Sequence, residues 1–268
     1  MIRNSFCFLP GISAQRESKI WQAGINEWNQ FIEAPKIPGL SSERKQTHDS
    51  LLTHAHSQLL DNNAQWFASI MPQNQHWRLY DQFKEDACFL DIETDGYYGN
   101  ITVVGIYDGS EAHTFVRGIN LDKELISNVL SRHKLILTFN GSSFDLPIIN
   151  RYFNLKPNMP HIDLRHVCAK VGLTGGLKKI EGDLGIKRPE EVQGITGMEA
   201  VYLWQNYQRT QNKKYLDLLV QYNTEDIINL PRIAQTVIPS LWKEVRARLQ
   251  MTCDSTNQNC SHEQTARI

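Results

Sequence analysis

Residues 87–93 read Ala-Cys-Phe-Leu-Asp-Ile-Glu, an apolar run that carries two acids and is followed by the turn pair Asp95-Gly96. A short apolar run bounded by turn residues is typical of a buried β-strand. Side chains two positions apart on a strand project from the same face, so Asp91 and Glu93 are expected side by side. Two like charges on a buried face are costly unless something neutralises them, and a divalent cation does so directly. The alternative is that both acids end the strand at a solvated edge of the sheet.

The chain around this strand predicts an α/β fold. Ile101–Tyr107 and Ala112–Val116 have the composition of two further strands, joined by the turn Asp108-Gly109 into an antiparallel meander. A helix is expected over 121–133, and a fourth strand over 135–139, which should lie next to the first. Strands connected by crossover helices indicate a mixed sheet that is flanked by helices.

Three regions are expected along the 268 residues. Residues 1–80 predict a small N-terminal helical segment, with helices over 14–23 (capped by Ser13), 26–32 and 42–69. Residues 81–250 form the α/β domain, and 251–268 are a polar tail that is predicted to be disordered. In the N-terminal segment, 9–13 (Leu-Pro-Gly-Ile-Ser) faintly resembles the hairpin of a degenerate helix-hairpin-helix. The alternative is a small helical lid that packs through Trp21, Trp28 and Phe31.

A second acidic segment is 140–145, Asn-Gly-Ser-Ser-Phe-Asp, which follows the fourth strand and opens a helix over 144–153. Ligands bind at the carboxyl ends of strands in α/β sheets, which makes Asp145 a candidate site residue. A carboxylate in the first turn of a helix is also favoured by the helix dipole, so a purely capping role is the alternative.

A third acidic segment lies in a helix that starts near Lys213 and should end near Pro231. Spacings of three and four place one stripe of side chains on the same, inward face: Leu219, Tyr222, Asp226 and Leu230. Asn223 and Glu225 are expected on the solvent side. An aspartate on a buried stripe is consistent with a metal ligand, and a structural salt bridge to an arginine is the alternative.

Together these segments resemble a known family. The sequences of 89–94 (Phe-Leu-Asp-Ile-Glu-Thr), 140–145 and 222–226 (Tyr-x-x-x-Asp) resemble the three exonuclease motifs of the DEDD (DnaQ-like) superfamily, in its tyrosine subclass. The proofreading domains of family B DNA polymerases belong to the same subclass. Residues 175–181 (Gly-Gly-Leu-Lys-Lys-Ile-Glu), 184–188 and 197–200 resemble the YprB-type ribonuclease H-like domain family. The resemblance covers roughly residues 80–245; Asp95 departs from it, because the family more often has threonine there.

The resemblance implies a ribonuclease H-like fold and a 3′–5′ exonuclease that acts on single-stranded DNA or RNA. It also implies two metal ions, Mg²⁺ or Mn²⁺, which activate the attacking water and stabilise the leaving oxygen. Asp91 would bridge both ions, Glu93 and Asp226 would hold the water-activating ion, and Asp145 would hold the second ion through water. Tyr222 would orient the attacking water.

Four further residues are candidates for holding the nucleic-acid strand: Asn140, Phe144, Lys178 and Lys179. The lysines, together with Lys187 and Arg188, are of the type that contacts phosphates. A solvated helix face is the alternative for such basic pairs.

The composition limits the other readings. The net charge of -1 gives no global basic field for polyanions, so a nucleic-acid substrate requires a local basic patch. The five cysteines contain no C-x-x-C pair, and no apolar run reaches membrane-spanning length, so a cytoplasmic location is expected. A structure-specific endonuclease and a non-catalytic nucleic-acid-binding protein of the same fold remain alternatives. The sequence leaves the oligomeric state and the choice between DNA and RNA open.

Overall fold

The computed structural model describes residues 1–96 and 99–262, and the chain divides into two compact units. The N-terminal unit comprises residues 1–81 and the chain from Ile238 onward. The sheet unit comprises residues 82–237. Among the described residues, none of the helices combines the length and the hydropathy that spanning a bilayer requires.

The start of the chain is helical, as predicted, and forms α1 (Ala14–Gln22), α2 (Trp28–Glu33), α3 (Ser42–Leu60), α4 (Ala64–Ile70) and α5 (Tyr80–Phe83). The Ser13 hydroxyl caps α1 by accepting from the Arg16 N–H, which confirms the predicted start of this helix. Trp21, Trp28 and Phe31 are buried in the core of the N-terminal unit. The residues before Leu9 contain a 3-10 turn, Ile2–Asn4, where a helix-hairpin-helix would have its first helix.

One helix predicted in this unit is wrong. The expected helix over 42–69 is two helices, α3 and α4, separated by Asp61-Asn62-Asn63. Asn62 has φ +52°, a conformation that asparagine adopts more readily than most residues, and the Asn63 side chain accepts from the Trp66 N–H. The apolar spacing continues through this break, so periodicity alone does not reveal it.

The sheet unit contains five strands in the order β3-β2-β1-β4-β5. They are β1 (Ala87–Thr94), β2 (Ile101–Tyr107), β3 (Ala112–Val116), β4 (Leu135–Thr138) and β5 (His161–Asp163). β1 is antiparallel to β2 and parallel to β4, so the predicted meander and the predicted neighbour of β1 are confirmed. The three-residue β5, which pairs parallel to β4, was not predicted, because it is too short to show a hydrophobic period.

Helices cover both faces of this sheet: α6 (Lys123–Leu130), α7 (Asp145–Phe153), α8 (Leu164–Lys170), α9 (Leu177–Asp183), α10 (Glu190–Gln193), α11 (Gly197–Thr210) and α12 (Lys213–Ile228). The last helix, α13 (Leu230–His262), begins in this unit and belongs to the N-terminal unit from Ile238 onward. One apolar core contains Leu90 and Ile92 of β1 with Ile148 of α7. A second core contains Val103 of β2 with Trp204 of α11 and Leu219 of α12. The fold is therefore the predicted mixed sheet flanked by helices.

The last helix runs past the expected domain boundary at 250. α13 extends to His262 and takes in residues 251–262, part of the segment for which a disordered tail was predicted. No glycine or proline follows Pro239 in this stretch, so nothing in the sequence breaks the helix. Residues 263–268, the rest of that prediction, lie outside the described residues.

Candidate metal centre and active site

The central strand divides its side chains between the two faces of the sheet. Leu90 and Ile92 enter the core on one face. Asp91 and Glu93 project from the other face, where Asn223 of α12 donates a hydrogen bond to Asp91. The alternation of a strand thus puts both acids on one face, as the sequence predicted, and the structure shows that this face lies opposite α12.

Helix α12 supplies the opposing wall of the site. The Asn212 side chain caps its start by accepting from the Lys214 N–H, and Leu216 and Leu219 are buried at helical spacing. The helix ends at Ile228, just before Pro231, whose missing N–H cannot continue the hydrogen-bond ladder. Tyr222 and Asp226 therefore lie on the buried face, as predicted.

Three carboxylates come together between β1 and α12. Each of Asp91, Glu93 and Asp226 offers one oxygen, and these oxygens all lie within 4.8 Å of one another. Glu93 and Asp226 are buried, and Asp91 is half-buried. Oxygen ligands at such spacing are what Mg²⁺ and similar hard cations require.

Asp145 approaches from the neighbouring strand. Because β1 and β4 are parallel, their carboxyl ends lie at the same edge of the sheet, and α7 begins there. The Asp145 side chain is 2% exposed and accepts a hydrogen bond of 3.0 Å from the Ile92 N–H. It is thus tied to the strand that carries Asp91 and Glu93, although it lies outside the group of three oxygens.

The loop before Asp145 is held by Asp163. The Asp163 carboxylate accepts from the backbone N–H of Asn140 and of Ser142, and it also caps α8 through the Arg165 N–H. Asn140 has φ +69°, and its side-chain oxygen accepts from Arg165 Nη1 at 2.6 Å. Asp163 therefore caps α8 and in addition fixes the loop.

Asp226 also forms a salt bridge to an arginine, which was the alternative to its role as a metal ligand. Arg188 Nη2 lies 2.5 Å from Asp226 Oδ1. The same guanidinium makes two hydrogen bonds to Glu181, from Nε at 2.6 Å and from Nη2 at 2.7 Å. Arg188 is thus already neutralised by Glu181, and its ion pair with Asp226 does not by itself account for the other acids.

Negative charge exceeds positive charge at the site between β1 and α12. Around the Asp91, Glu93 and Asp226 oxygens lie five carboxylates and two cations: Asp91, Glu93, Asp145, Glu181 and Asp226, with Arg188 and Lys178. Burial and the neighbouring carboxylates raise the pKa of Asp91 and of Glu93 well above their usual range. Burial raises the pKa of Asp145 to about 7, although the Ile92 N–H opposes this. Burial also raises the pKa of Asp226, against the attraction of Arg188.

Repulsion of this kind is what a divalent cation removes. Carboxylates with raised pKa values hold protons when no metal is near and exchange them for a cation when one binds. The acid side chains present therefore fit a divalent metal, because Arg188 and Lys178 together leave three of the five carboxylates uncompensated.

Tyr222 and Lys178 lie beside the acids. Lys178 Nζ is 3.3 Å from the Tyr222 hydroxyl and 4.4 Å from the centre of its ring. Burial and then Asp226 raise the pKa of the Tyr222 hydroxyl, so it stays protonated. Burial lowers the pKa of Lys178, while Asp226 and Glu93 favour its charged form.

The other predicted substrate residues are placed differently. Lys179 is directed outward and pairs with Asp183 at 2.7 Å on the exposed face of α9, so the structure does not bring it to the acids. Phe144 is 41% exposed at the start of α7, next to Asp145. Asp95 pairs with Arg117 and with Asn100, which makes it part of the turn after β1.

The prediction that Asn223 lies on the solvent side is wrong. Instead of facing solvent it is fully buried, and its Nδ2 donates to Asp91 Oδ2 at 2.8 Å. Gly105 on β2 lies opposite Asp91, and a Cβ at position 105 would overlap the Asn223 amide oxygen. The signal in the sequence is the glycine inside a strand of β-branched residues, which indicates a close approach.

Comparisons with known proteins agree with the fold. The profile of the RNase_H_2 family, described as RNase_H superfamily, matches residues 88–238. No curated protein matches the chain.

Three solved structures are similar at low identity. The family B DNA polymerase from the archaeon Pyrobaculum calidifontis is 12% identical, with a TM-score of 0.44 over 57% of this chain and 25% of the polymerase. Brucella melitensis NrnC is 20% identical, with a TM-score of 0.44 over 65% of this chain and 82% of that one. NrnC bound to pGG is 18% identical, with a TM-score of 0.43 over 70% and 92%.

The matched segment begins at Cys88, the second residue of β1, and ends at Ile238. It includes the rest of β1, the strands β2 to β5 and all four predicted metal ligands. It covers more than half of the 268 residues. The chain therefore belongs to the RNase H superfamily.

Proposed function

We propose that this protein hydrolyses phosphodiester bonds in nucleic acid with two divalent cations, as a 3′–5′ exonuclease of the DEDD superfamily, tyrosine subclass. The observation that carries the proposal is the excess of buried acid at Asp91, Glu93 and Asp226, whose oxygens lie within 4.8 Å of one another. The direction of cleavage and the likeness to the YprB-type family rest on the motifs around these residues.

The acids hold the cations in this proposal. Asp91, Glu93 and Asp226 supply the carboxylate oxygens, and Asp145, fixed to the Ile92 N–H, lies next to them. Bound Mg²⁺ or Mn²⁺ supplies a more acidic water and neutralises charge on the phosphate. Asn223 keeps the Asp91 carboxylate in one orientation through its hydrogen bond of 2.8 Å.

Tyr222 and Lys178 complete the chemistry. The Tyr222 hydroxyl remains protonated because its pKa is raised, so it can donate a hydrogen bond and orient the attacking water. Lys178, which lies 3.3 Å from this hydroxyl, would contact a phosphate oxygen in this proposal. Lys179 has no part in this role, because it is paired with Asp183 on the exposed face.

Two further residues, Phe144 and Asn140, would contact the nucleic-acid strand in this proposal. Phe144 has an exposed ring directly before Asp145, and an exposed aromatic ring offers a surface on which a nucleobase stacks. Asn140 is kept in its turn by Asp163 and Arg165, so its position is fixed before substrate binds.

The decisive experiment is digestion of end-labelled single- and double-stranded DNA and RNA with Mg²⁺ or Mn²⁺. We expect a ladder of mononucleotides released from the 3′ end. Asp91→Asn and Asp226→Asn should lower cleavage by about 10³-fold or more, because the cations contribute several kcal/mol to the transition state.

Asp183→Asn is the matched control, because it removes an acid from an exposed pair and should leave cleavage unchanged. Internal fragments without a ladder would indicate a structure-specific endonuclease. Binding of nucleic acid with no cleavage under any metal would indicate a non-catalytic protein of the same fold. Full activity in either Asn variant would overturn the assignment of the acids.

A further inference from the structure

Asp226 belongs to a buried network of four side chains, together with Asn229, Glu181 and Arg188. Asn229 Nδ2 donates to Glu181 Oε1 at 3.0 Å, and Glu181 accepts two hydrogen bonds from Arg188. Arg188 then reaches Asp226 Oδ1 at 2.5 Å. Helix α9 carries Glu181, the segment after it carries Arg188, and α12 with its cap carries Asp226 and Asn229.

The network is closed to solvent. Glu181 is 2% exposed, and the Arg188 side chain is 4% exposed. The turn that returns Arg188 to Glu181 is fixed by the Ile186 N–H, which donates to the Glu181 carbonyl at 2.8 Å. The acid and the arginine are therefore held in one geometry by backbone as well as by side-chain contacts.

The guanidinium is shared between two acids in an unequal way. Glu181 takes Nε and Nη2, whereas Asp226 contacts Nη2 alone. Arg188 Nη1 is buried and has no hydrogen-bond partner among the described residues. A guanidinium that served only to neutralise Asp226 would give it two parallel hydrogen bonds. Instead, Glu181 accepts the two parallel hydrogen bonds, and Arg188 contacts only one oxygen of Asp226.

We infer that Arg188, held by Glu181, is a positioning residue that fixes the Asp226 carboxylate and sets how tightly the site takes a divalent cation. This rests on the proposed function, in which Asp226 is a metal ligand. Arg188 fixes one oxygen and leaves the other for the cation, while its charge opposes cation binding. The charge of Glu181 offsets that opposition.

The two charges have opposite effects on cation affinity. Glu181→Gln leaves the arginine uncompensated, so Mn²⁺ should bind about tenfold more weakly. Arg188→Gln removes the opposing charge, so Mn²⁺ should bind about tenfold more tightly, although cleavage at saturating Mn²⁺ should fall because Asp226 is no longer fixed. A loss of structure would weaken binding in both variants.

Two further variants separate charge from geometry. Arg188→Lys keeps the charge and loses the planar guanidinium, so Mn²⁺ affinity should stay close to that of the wild type while the maximal cleavage rate falls. The double variant Glu181→Gln, Arg188→Gln removes one charge of each sign, so the net charge that the cation meets is unchanged and Mn²⁺ affinity should stay close to that of the wild type.

The experiment is titration of the full chain with Mn²⁺ alone, by calorimetry and by thermal shift, with the cleavage rate measured at each Mn²⁺ concentration. Asp183→Asn on α9 is the control, because its partner Lys179 is exposed. Shifts of opposite sign for Glu181→Gln and Arg188→Gln support the inference. Shifts of the same sign, or none, overturn it while the wild type still binds Mn²⁺ and cleaves. A wild type that binds no Mn²⁺ overturns the proposed function as well.

Discussion

Each of the two units contains a buried arginine–glutamate pair, and the pairs differ in how much charge remains uncompensated around them. In the N-terminal unit, Arg78 donates to Glu17 through Nη1 at 2.8 Å and Nη2 at 2.9 Å. Its Nε donates to Gln75, and Nη1 also donates to Ser5. The guanidinium lies over the rings of three tryptophans as well: Trp21, Trp77 and Trp242.

The acid of this pair is equally well satisfied. Glu17 Oε1 also accepts from the backbone N–H of Phe6, at 2.6 Å, and of Cys7, at 3.0 Å. In the sheet unit, Arg188 keeps an unpartnered Nη1 among the described residues and meets a second acid, Asp226, with Asp91 and Glu93 beyond it. A buried ion pair is therefore weak evidence for a binding site. Buried charge that no ion pair compensates indicates instead that a ligand of opposite charge binds there.

The largest expected effect concerns the N-terminal pair. Glu17→Gln leaves Arg78 buried without its counter-charge, so the free energy of unfolding should fall by about 3 kcal/mol or more. Urea unfolding of the variant and the wild type measures this. The Mn²⁺ affinity of the folded variant should stay within about twofold of the wild type, because independent sites are additive. A change in Mn²⁺ affinity would contradict the contrast between the two pairs.

The second effect concerns the cation itself. In the cation-free protein, burial raises the pKa of Asp145 to about 7, and burial with repulsion raises those of Asp91 and Glu93. A carboxyl with a higher pKa in the folded state stabilises that state most below about pH 4, and loses this contribution as the pH rises through the folded pKa. Thermal unfolding in EDTA should therefore show stability falling between about pH 4 and 7.

Mn²⁺ should reverse this loss, because it replaces protons on the same oxygens. At a free concentration of about 100 times its Kd, a bound ion adds about 2.7 kcal/mol. Asp91→Asn is the informative comparison, since it should reduce both the loss of stability with pH and the gain with Mn²⁺. Equal gains in the variant and the wild type would place the cation elsewhere.

The third effect concerns the residue that orients Asp91. Asn223→Ala removes the donor to Asp91 Oδ2, and Mn²⁺ affinity should fall by about tenfold. Gly105→Ala should act in the same direction, because the added Cβ displaces the Asn223 amide. Gly197→Ala is the matched control, since a Cβ there meets open space. Unchanged affinity in both variants would leave Asn223 with a packing role alone.

The smallest effect separates two neighbouring lysines on α9. Lys178→Ala should lower the cleavage rate by about tenfold, the value of one charge-assisted hydrogen bond. Lys179→Ala should change the rate by less than about twofold, because exposed ion pairs contribute little. Cleavage assays on the two variants in parallel give the comparison. Equal losses would indicate that Lys179 reaches the nucleic acid after all.

The sequence alone predicted the features that depend on short-range periodicity. β2 and β3 have the predicted bounds, β1 and β4 are correct to within a residue at one end, and α12 faces inward as its stripe indicated. Local period and turn residues determine such elements, and they carry Asp91, Glu93, Tyr222 and Asp226 with them. The nature of the acids and the face on which they lie were thus present in the sequence.

Features that depend on distant partners were not readable. Asn223 and Asp91 are 132 positions apart, so no local pattern predicts their hydrogen bond. Nor does any local pattern predict that the Asn223 side chain points inward and packs against Gly105. The same holds for Arg188, which meets Asp226 of α12. Lys178 and Lys179 look alike in sequence but lie on different faces of α9. Contacts across the fold decide which charges are compensated, because compensation depends on distance and burial in space and not on spacing along the chain.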